Sequence, residues 1–139
     1  MVDVYEQLMT AIVEKNRDEV QRLLQNGMDL NARVDRGTSV LYCAILEGDE
    51  IIVRLMLEHG ADPNLLADES AATIYTEKPL DLARQARFLM DWDKYDPIVK
   101  LLKAFGATDL EGRVDSESDS PVCEARARDW QAQKAAQSS

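Results

Sequence analysis

The stretch Gly37-Thr38-Ser39-Val40-Leu41-Tyr42-Cys43-Ala44, continued by Gly48-Asp49 and by Ile52-Val53-Arg54-Leu55-Met56-Leu57-Glu58-His59-Gly60-Ala61-Asp62-Pro63-Asn64, decides how this chain folds. Two short apolar runs flank a Gly-Asp break, which predicts two antiparallel helices of roughly 8 to 12 residues. Leu41, Ala44 and Ile45 mark the buried face of the first helix; Ile52, Val53, Leu55, Met56 and Leu57 mark that of the second. Gly60 then supplies a residue that can take positive φ and end the second helix at least steric cost.

The unit recurs. At a constant offset of 33, Ala11 falls on Ala44, Val20 on Val53, Leu23 on Met56, Leu24 on Leu57, Gly27 on Gly60, Asp29 on Asp62 and Asn31 on Asn64. A third copy opens with Lys78-Pro79-Leu80-Asp81-Leu82-Ala83 and closes with Ile98-Val99-Lys100-Leu101-Leu102-Lys103-Ala104-Phe105-Gly106-Ala107-Thr108-Asp109. Its halves are displaced from the second copy by 39 and 46 residues, so it carries six extra residues before its first helix and seven between its helices.

This grammar resembles the ankyrin repeat, whose family pattern runs G-x-T-P-L-H-x-A, then G-H, then V-V-x-L-L-L-x-x-G-A-D-V-N. Ser39, Val40, Tyr42 and Asp49 depart from it, and these departures are expected to weaken the capping network without changing the pattern. The resemblance covers about residues 1–110. It implies an all-α ankyrin-repeat solenoid of about three helix-turn-helix units, at about 1–33, 34–66 and 67–110, with projecting loops and with insertions in the third.

A single unit cannot bury its apolar faces alone, so neighbours must stack, and about three units is the least that gives a stable array. Small Ala at 11, 44 and 83 suits close approach between neighbouring first helices, where a larger side chain would overpack. The first copy, with Glu6, Thr10, Glu14, Lys15 and Asn16 available to face water, reads as an N-terminal cap. Residues 111–120 form an acidic, Ser-rich run with almost nothing to bury and read as a flexible linker. Within 121–139, Ser120-Pro121 can start a helix with Cys123, Ala127 and Trp130 at i, i+4 and i+7, and a disordered tail is the alternative.

Composition narrows the function. The 139 residues carry a formal charge of -10, of which -8 falls within residues 1–110. Such a chain repels phosphate-rich duplexes and anionic membranes, so neither nucleic acid nor a membrane is expected as partner. No segment approaches the roughly 20 apolar residues of a membrane span, no basic-then-apolar leader opens the chain, and the two cysteines, Cys43 and Cys123, follow no disulfide or metal spacing. A reducing, cytoplasmic setting is expected.

Chemistry finds little support. His59, the one histidine, falls just before a helix-ending Gly, an ordinary place for a polar or cationic residue. Asp91, Asp93 and Asp96 begin like a calcium loop, but Asp96 stands at the sixth place where Gly is needed and Leu102 at the twelfth where a bidentate Glu is needed. A metal-dependent hydrolase built on them is therefore a remote alternative. No phosphate loop, nucleophile elbow or zinc-protease motif occurs; no enzyme, cofactor or metal is expected.

The resemblance implies instead a protein-binding module whose loop tips and first-helix ends line a concave face. Those positions are Asp35, Arg36, Thr38, Leu46 and Glu47 in the second copy, with Val13 and Glu14 equivalent to the last two in the first. Isolated exposed apolar residues are common, so Val13 and Leu46 read either as contacts or as ordinary surface. The third-copy insertions are the least generic part of the chain. One extends a loop through Asp68, Glu69, Ile74, Tyr75 and Glu77; the other, about two helical turns, is expected to lengthen a helix carrying Phe88, Trp92 and Tyr95 as one aromatic stripe. That stripe reads as an interface hot spot or as packing against the C-terminal segment. The expected partner is a basic or mixed-charge protein, with the chain monomeric in its absence. Short free-standing ankyrin proteins are similar to many bacterial ones, some of them immunity proteins that block a toxin's active site, which gives a narrower alternative.

Overall fold

The computed structural model describes residues 4–32, 39–65 and 78–137. Among them lie seven α-helices: α1 (Val4–Val13), α2 (Arg17–Gln25), α3 (Val40–Glu47), α4 (Glu50–Glu58), α5 (Pro79–Leu89), α6 (Trp92–Ala104) and α7 (Pro121–Gln137), with a 3-10 turn at Glu117–Asp119. No strand occurs among the described residues. The architecture is an all-α helix-turn-helix solenoid in which α1, α3 and α5 stack as one layer and α2, α4 and α6 as the other.

Helices α2, α3, α4 and α6 each start where a short polar side chain accepts an otherwise orphaned backbone N–H. Asn16 accepts from Glu19 N at 3.3 Å before α2, Ser39 from Tyr42 N at 3.2 Å before α3, and Asp91 from Lys94 N at 3.2 Å before α6. Asp49 accepts from Ile51 and Ile52 before α4, and its second oxygen takes Arg17 Nε of the preceding unit at 3.1 Å. Ser39 and Asp49 were two of the departures expected to weaken capping; both cap, because either a hydroxyl or a carboxylate can receive the orphan N–H groups.

Ala11, Ala44 and Ala83 are all buried, as the close packing of first helices requires. The apolar faces of both layers join one core running from Leu8 to Ala107, with Leu55 partly buried against it. Between units the core is reinforced by a repeated asparagine clamp. Asn31 donates through Nδ2 to Gly60 O at 3.3 Å and accepts from Asp62 N at 2.7 Å. Asn64 does the same to the third unit, donating to Gly106 O at 3.1 Å and accepting from Thr108 N at 2.8 Å. Gly60 and Gly106 hold φ of 100° and 92°, so each clamp closes on a left-handed turn that suits only glycine. The residue that would extend the clamp to a fourth unit is Leu110, exposed, and the stack stops there.

The seven extra residues of the third unit are shared between its two helices. Relative to α3 and α4, α5 is three residues longer at its C-terminus and α6 four longer at its N-terminus, with a two-residue turn, Met90-Asp91, retained. The hairpin is thus raised by about one turn.

The Ser-rich run read as a flexible linker is tied down instead. Arg84 and Arg87 of α5, both buried, reach out to it: Arg84 Nη2 donates to Asp119 at 2.9 Å and Arg87 Nη2 to Asp119 at 2.7 Å and to Ser118 O at 3.0 Å. Lys103 adds a third cation, 2.9 Å from Asp119. Composition suggested solvated carboxylates; two guanidiniums that need partners explain why one of them is held.

Beyond it, α7 lies along α5 and buries Ala127 alone. Its anchor is polar: Gln131 Nε2 donates to Arg87 O and Phe88 O, both at 2.9 Å, and its Oε1 accepts from Trp92 N at 3.2 Å. One amide thus satisfies the backbone of the α5–α6 turn.

Candidate protein-binding surface

The first-helix ends present the same pairing in successive units. Val13 closes α1 and is followed by Glu14; Leu46 and Glu47 close α3. Val13 is 59% and Leu46 47% exposed, and both glutamates reach solvent, Glu47 the less so. Neither hydrophobic side chain contributes to the core, since the inward positions of these helices are filled by Leu8, Ala11, Ile12, Leu41, Ala44 and Ile45.

Asp35, Arg36, Thr38 and Tyr75, together with Asp68, Glu69, Ile74 and Glu77, lie outside the described residues.

The aromatic stripe is not an exposed one. Trp92 is 3% and Tyr95 0% exposed, and Phe88 is half-buried. The i, i+4, i+7 reading assumed one continuous helix, but Asp91 caps α6 and breaks it, so Phe88 sits on α5 and the other two on α6. Trp92 stacks under the Arg87 guanidinium, 4.1 Å from its ring centroid, a favourable cation–π arrangement. Tyr95 turns back along the stack and donates its hydroxyl to Leu46 O at 2.9 Å. Trp92 and Tyr95 are therefore positioning residues behind the surface, as candidates for direct contact they are corrected, and what the raised hairpin exposes instead is Leu89 and Met90, the latter 58% exposed. The signal for them was present in the N-cap preference of Asp91.

Electrostatics at this end of the stack is shaped by carboxylates. Burial pushes the Tyr95 phenol above its usual range, and the Glu47 and Asp91 charges push it the same way. Lys94 lies close by, its chain passing over Gly48 and its ammonium 5.7 Å from the Tyr95 ring. Gly48 has φ of 72°, and a Cβ there would run into Lys94 Cε.

The remaining candidates for chemistry are occupied separately. Asp91 caps α6. Asp93 pairs with Arg128 at 2.8 Å, whose hydrogen bonds hold its carboxyl below the usual range. Asp96 takes Arg87 at 2.9 Å and Lys100 at 3.0 Å. Among the described residues no group of three or more His, Cys, Asp or Glu is placed to hold a metal ion. His59 is exposed at the C-cap of α4, its Nδ1 2.8 Å from Leu55 O. An open cavity of about 670 Å³ lies beside Arg84, between Asp81 and the 109–118 segment. Burial raises the Asp81 carboxyl above its usual range against hydrogen bonds from Lys78 and Leu110 N–H. Among the described residues no helix is long and apolar enough to cross a membrane.

No curated protein matches the chain. Residues 5–67 match the family model described as ankyrin repeats (3 copies), α5 and α6 continue the same two-helix unit beyond that match, and the chain thus carries ankyrin repeats over residues 5–67.

Proposed function

We propose that this chain binds a partner protein through the concave face formed by its first-helix ends and loop tips, extended by the raised third hairpin, and that it does so without catalysis. Ankyrin repeats are protein–protein interaction modules. The observation that carries the reading is the pairing Val13-Glu14 and Leu46-Glu47: exposed apolar side chains at equivalent positions of stacked helices, each beside a carboxylate. A regular row of apolar groups flanked by charge has the composition of an interface rather than of an incidental surface. The formal charge of -10 favours a basic or mixed-charge partner, and steering by that charge makes the association rate fall with added salt.

The test is affinity capture with wild type against Val13→Ala and Leu46→Ala. A specific protein retained by wild type and released by both variants supports the reading; equal capture by all three chains overturns this face. The same acidic charge suits a narrower reading, in which the partner is a toxin or effector enzyme whose active site is blocked. Co-expression that gives neither a complex nor protection removes it.

A further inference from the structure

The first two first-helix ends carry one motif at the 33-residue offset, and the turn after the longer third helix carries a similar pair. Each tip joins an exposed apolar side chain to a carboxylate: Val13-Glu14 on α1, Leu46-Glu47 on α3 and Met90-Asp91 after α5. Neither glutamate side chain makes an ion pair or hydrogen bond among the described residues, whereas Asp49, Asp93, Asp96, Asp109 and Asp119 are each matched to a cation. The second and third tips adjoin, because the Tyr95 hydroxyl of α6 bonds Leu46 O and the Glu47 and Asp91 charges both act on that phenol, and α1 packs against α3 on the other side. At the third tip Leu89 and Met90 border a groove of about 390 Å³ whose other wall is Gln131, Lys134 and Ala135 of α7. Among the described residues, Lys94 is turned toward the Tyr95 ring, and Lys134 stands at the far wall of the groove.

Resting on the protein-binding reading, we infer that this row takes one amphipathic, basic α-helix of the partner, laid across the tips from α1 to the α5–α7 groove. Neighbouring packed helices lie about 8 to 10 Å apart, and a helix rises 1.5 Å per residue, so successive tips meet side chains about five to seven positions apart on a crossing helix, and of these only the seventh returns to the same helix face. The partner helix therefore carries an apolar residue near every seventh position, the helix-in-groove mode of recognition. Lys or Arg beside the first two of these answers Glu14 and Glu47. The third apolar residue enters the groove beside Met90.

The experiment measures binding of labelled 20-residue helical peptides by fluorescence anisotropy to the full chain. One peptide has Leu at every seventh position with Lys beside the first two; a second replaces those Lys with Glu; a third moves the Leu residues to every fifth position. The first is expected to bind and the other two to bind at least about tenfold more weakly. Leu46→Ser and Glu47→Lys are each expected to weaken the first peptide by about tenfold, the scale of a modest hot spot, while Val122→Ser on exposed α7 surface leaves it unchanged. Leu46 is outside the core, and circular dichroism checks that each variant is folded. No binding of the first peptide, equal binding of all three, or indifference to Leu46→Ser overturns the inference. A natural partner whose hydrogen-exchange footprint spares these tips overturns it too while leaving protein binding intact, whereas a chain that captures no partner at all overturns the broader reading.

Discussion

The Tyr95 hydroxyl donates to the Leu46 carbonyl at 2.9 Å across 49 residues of sequence. This bond pins the added turn of the third unit to the end of α3, where the exposed Leu46 side chain starts the proposed contact row. Removing the hydroxyl in Tyr95→Phe keeps the packing and leaves one helix-end carbonyl to water. The expected cost is about 1 kcal/mol in urea unfolding, with weaker partner binding through a looser α3 end. Tyr95→Ala, which empties a fully buried ring site, is expected to cost about 3 to 5 kcal/mol.

Asp119 answers two buried guanidiniums at once. Burial opposes its ionisation, but hydrogen bonds from Arg84, Arg87 and Lys103 outweigh burial and hold its carboxyl well below the ordinary 3.8. Asp119→Asn is expected to cost about 3 kcal/mol, the low end for breaking a buried pair, because Asp96 and Asp109 still flank the two arginines.

The depressed Asp119 carboxyl also sets a sign for pH. Its stabilisation is complete above 3.8 and is lost as pH falls from there through the lower folded value. Thermal melts of wild type and Asp119→Asn are therefore expected to differ most above pH 4 and to converge in stronger acid. A gap that stays constant down to pH 2 would contradict the assignment.

Asn31 and Asn64 each clamp the turn of the next unit through a donor and an acceptor. Replacement of either by Ala is expected to cost about 1 kcal/mol, because the clamps are partly solvated. Hydrogen exchange provides the finer check: Asp62 N–H should lose protection in Asn31→Ala and Thr108 N–H in Asn64→Ala, each without the other.

Gly48 combines φ of 72° with the Lys94 chain where a Cβ would go. Gly48→Ala is expected to cost about 1 to 2 kcal/mol for the left-handed backbone alone. Pairing it with Lys94→Ala should recover only what the clash adds, which a double-mutant cycle reads directly.

Much of the fold was legible in the sequence, because local rules govern it. The 33-residue offset, the helix-ending glycines and the small Ala at 11, 44 and 83 each report a backbone or packing need that recurs in every unit. Val13 and Leu46 were legible too, since an apolar residue off the buried face of a short helix has nowhere to go but outward. Trp92 and Tyr95 were misplaced by helical periodicity, which presumes an unbroken helix; the capping strength of Asp91 broke it, and the two aromatics turned inward.

By itself the sequence determined the repeat, the capped two-helix unit and the excess of negative charge, all of which depend on neighbours in the chain or on simple counting. Only the tertiary structure decided which acidic residues are spent and which are free. Asp119 meets Arg84 and Arg87 over 35 and 32 residues, a pairing that no local pattern encodes, whereas Glu14 and Glu47 are left beside exposed apolar groups. The physical reason is that a carboxylate's partner is chosen by the stacking of units, which brings side chains together irrespective of their separation along the chain.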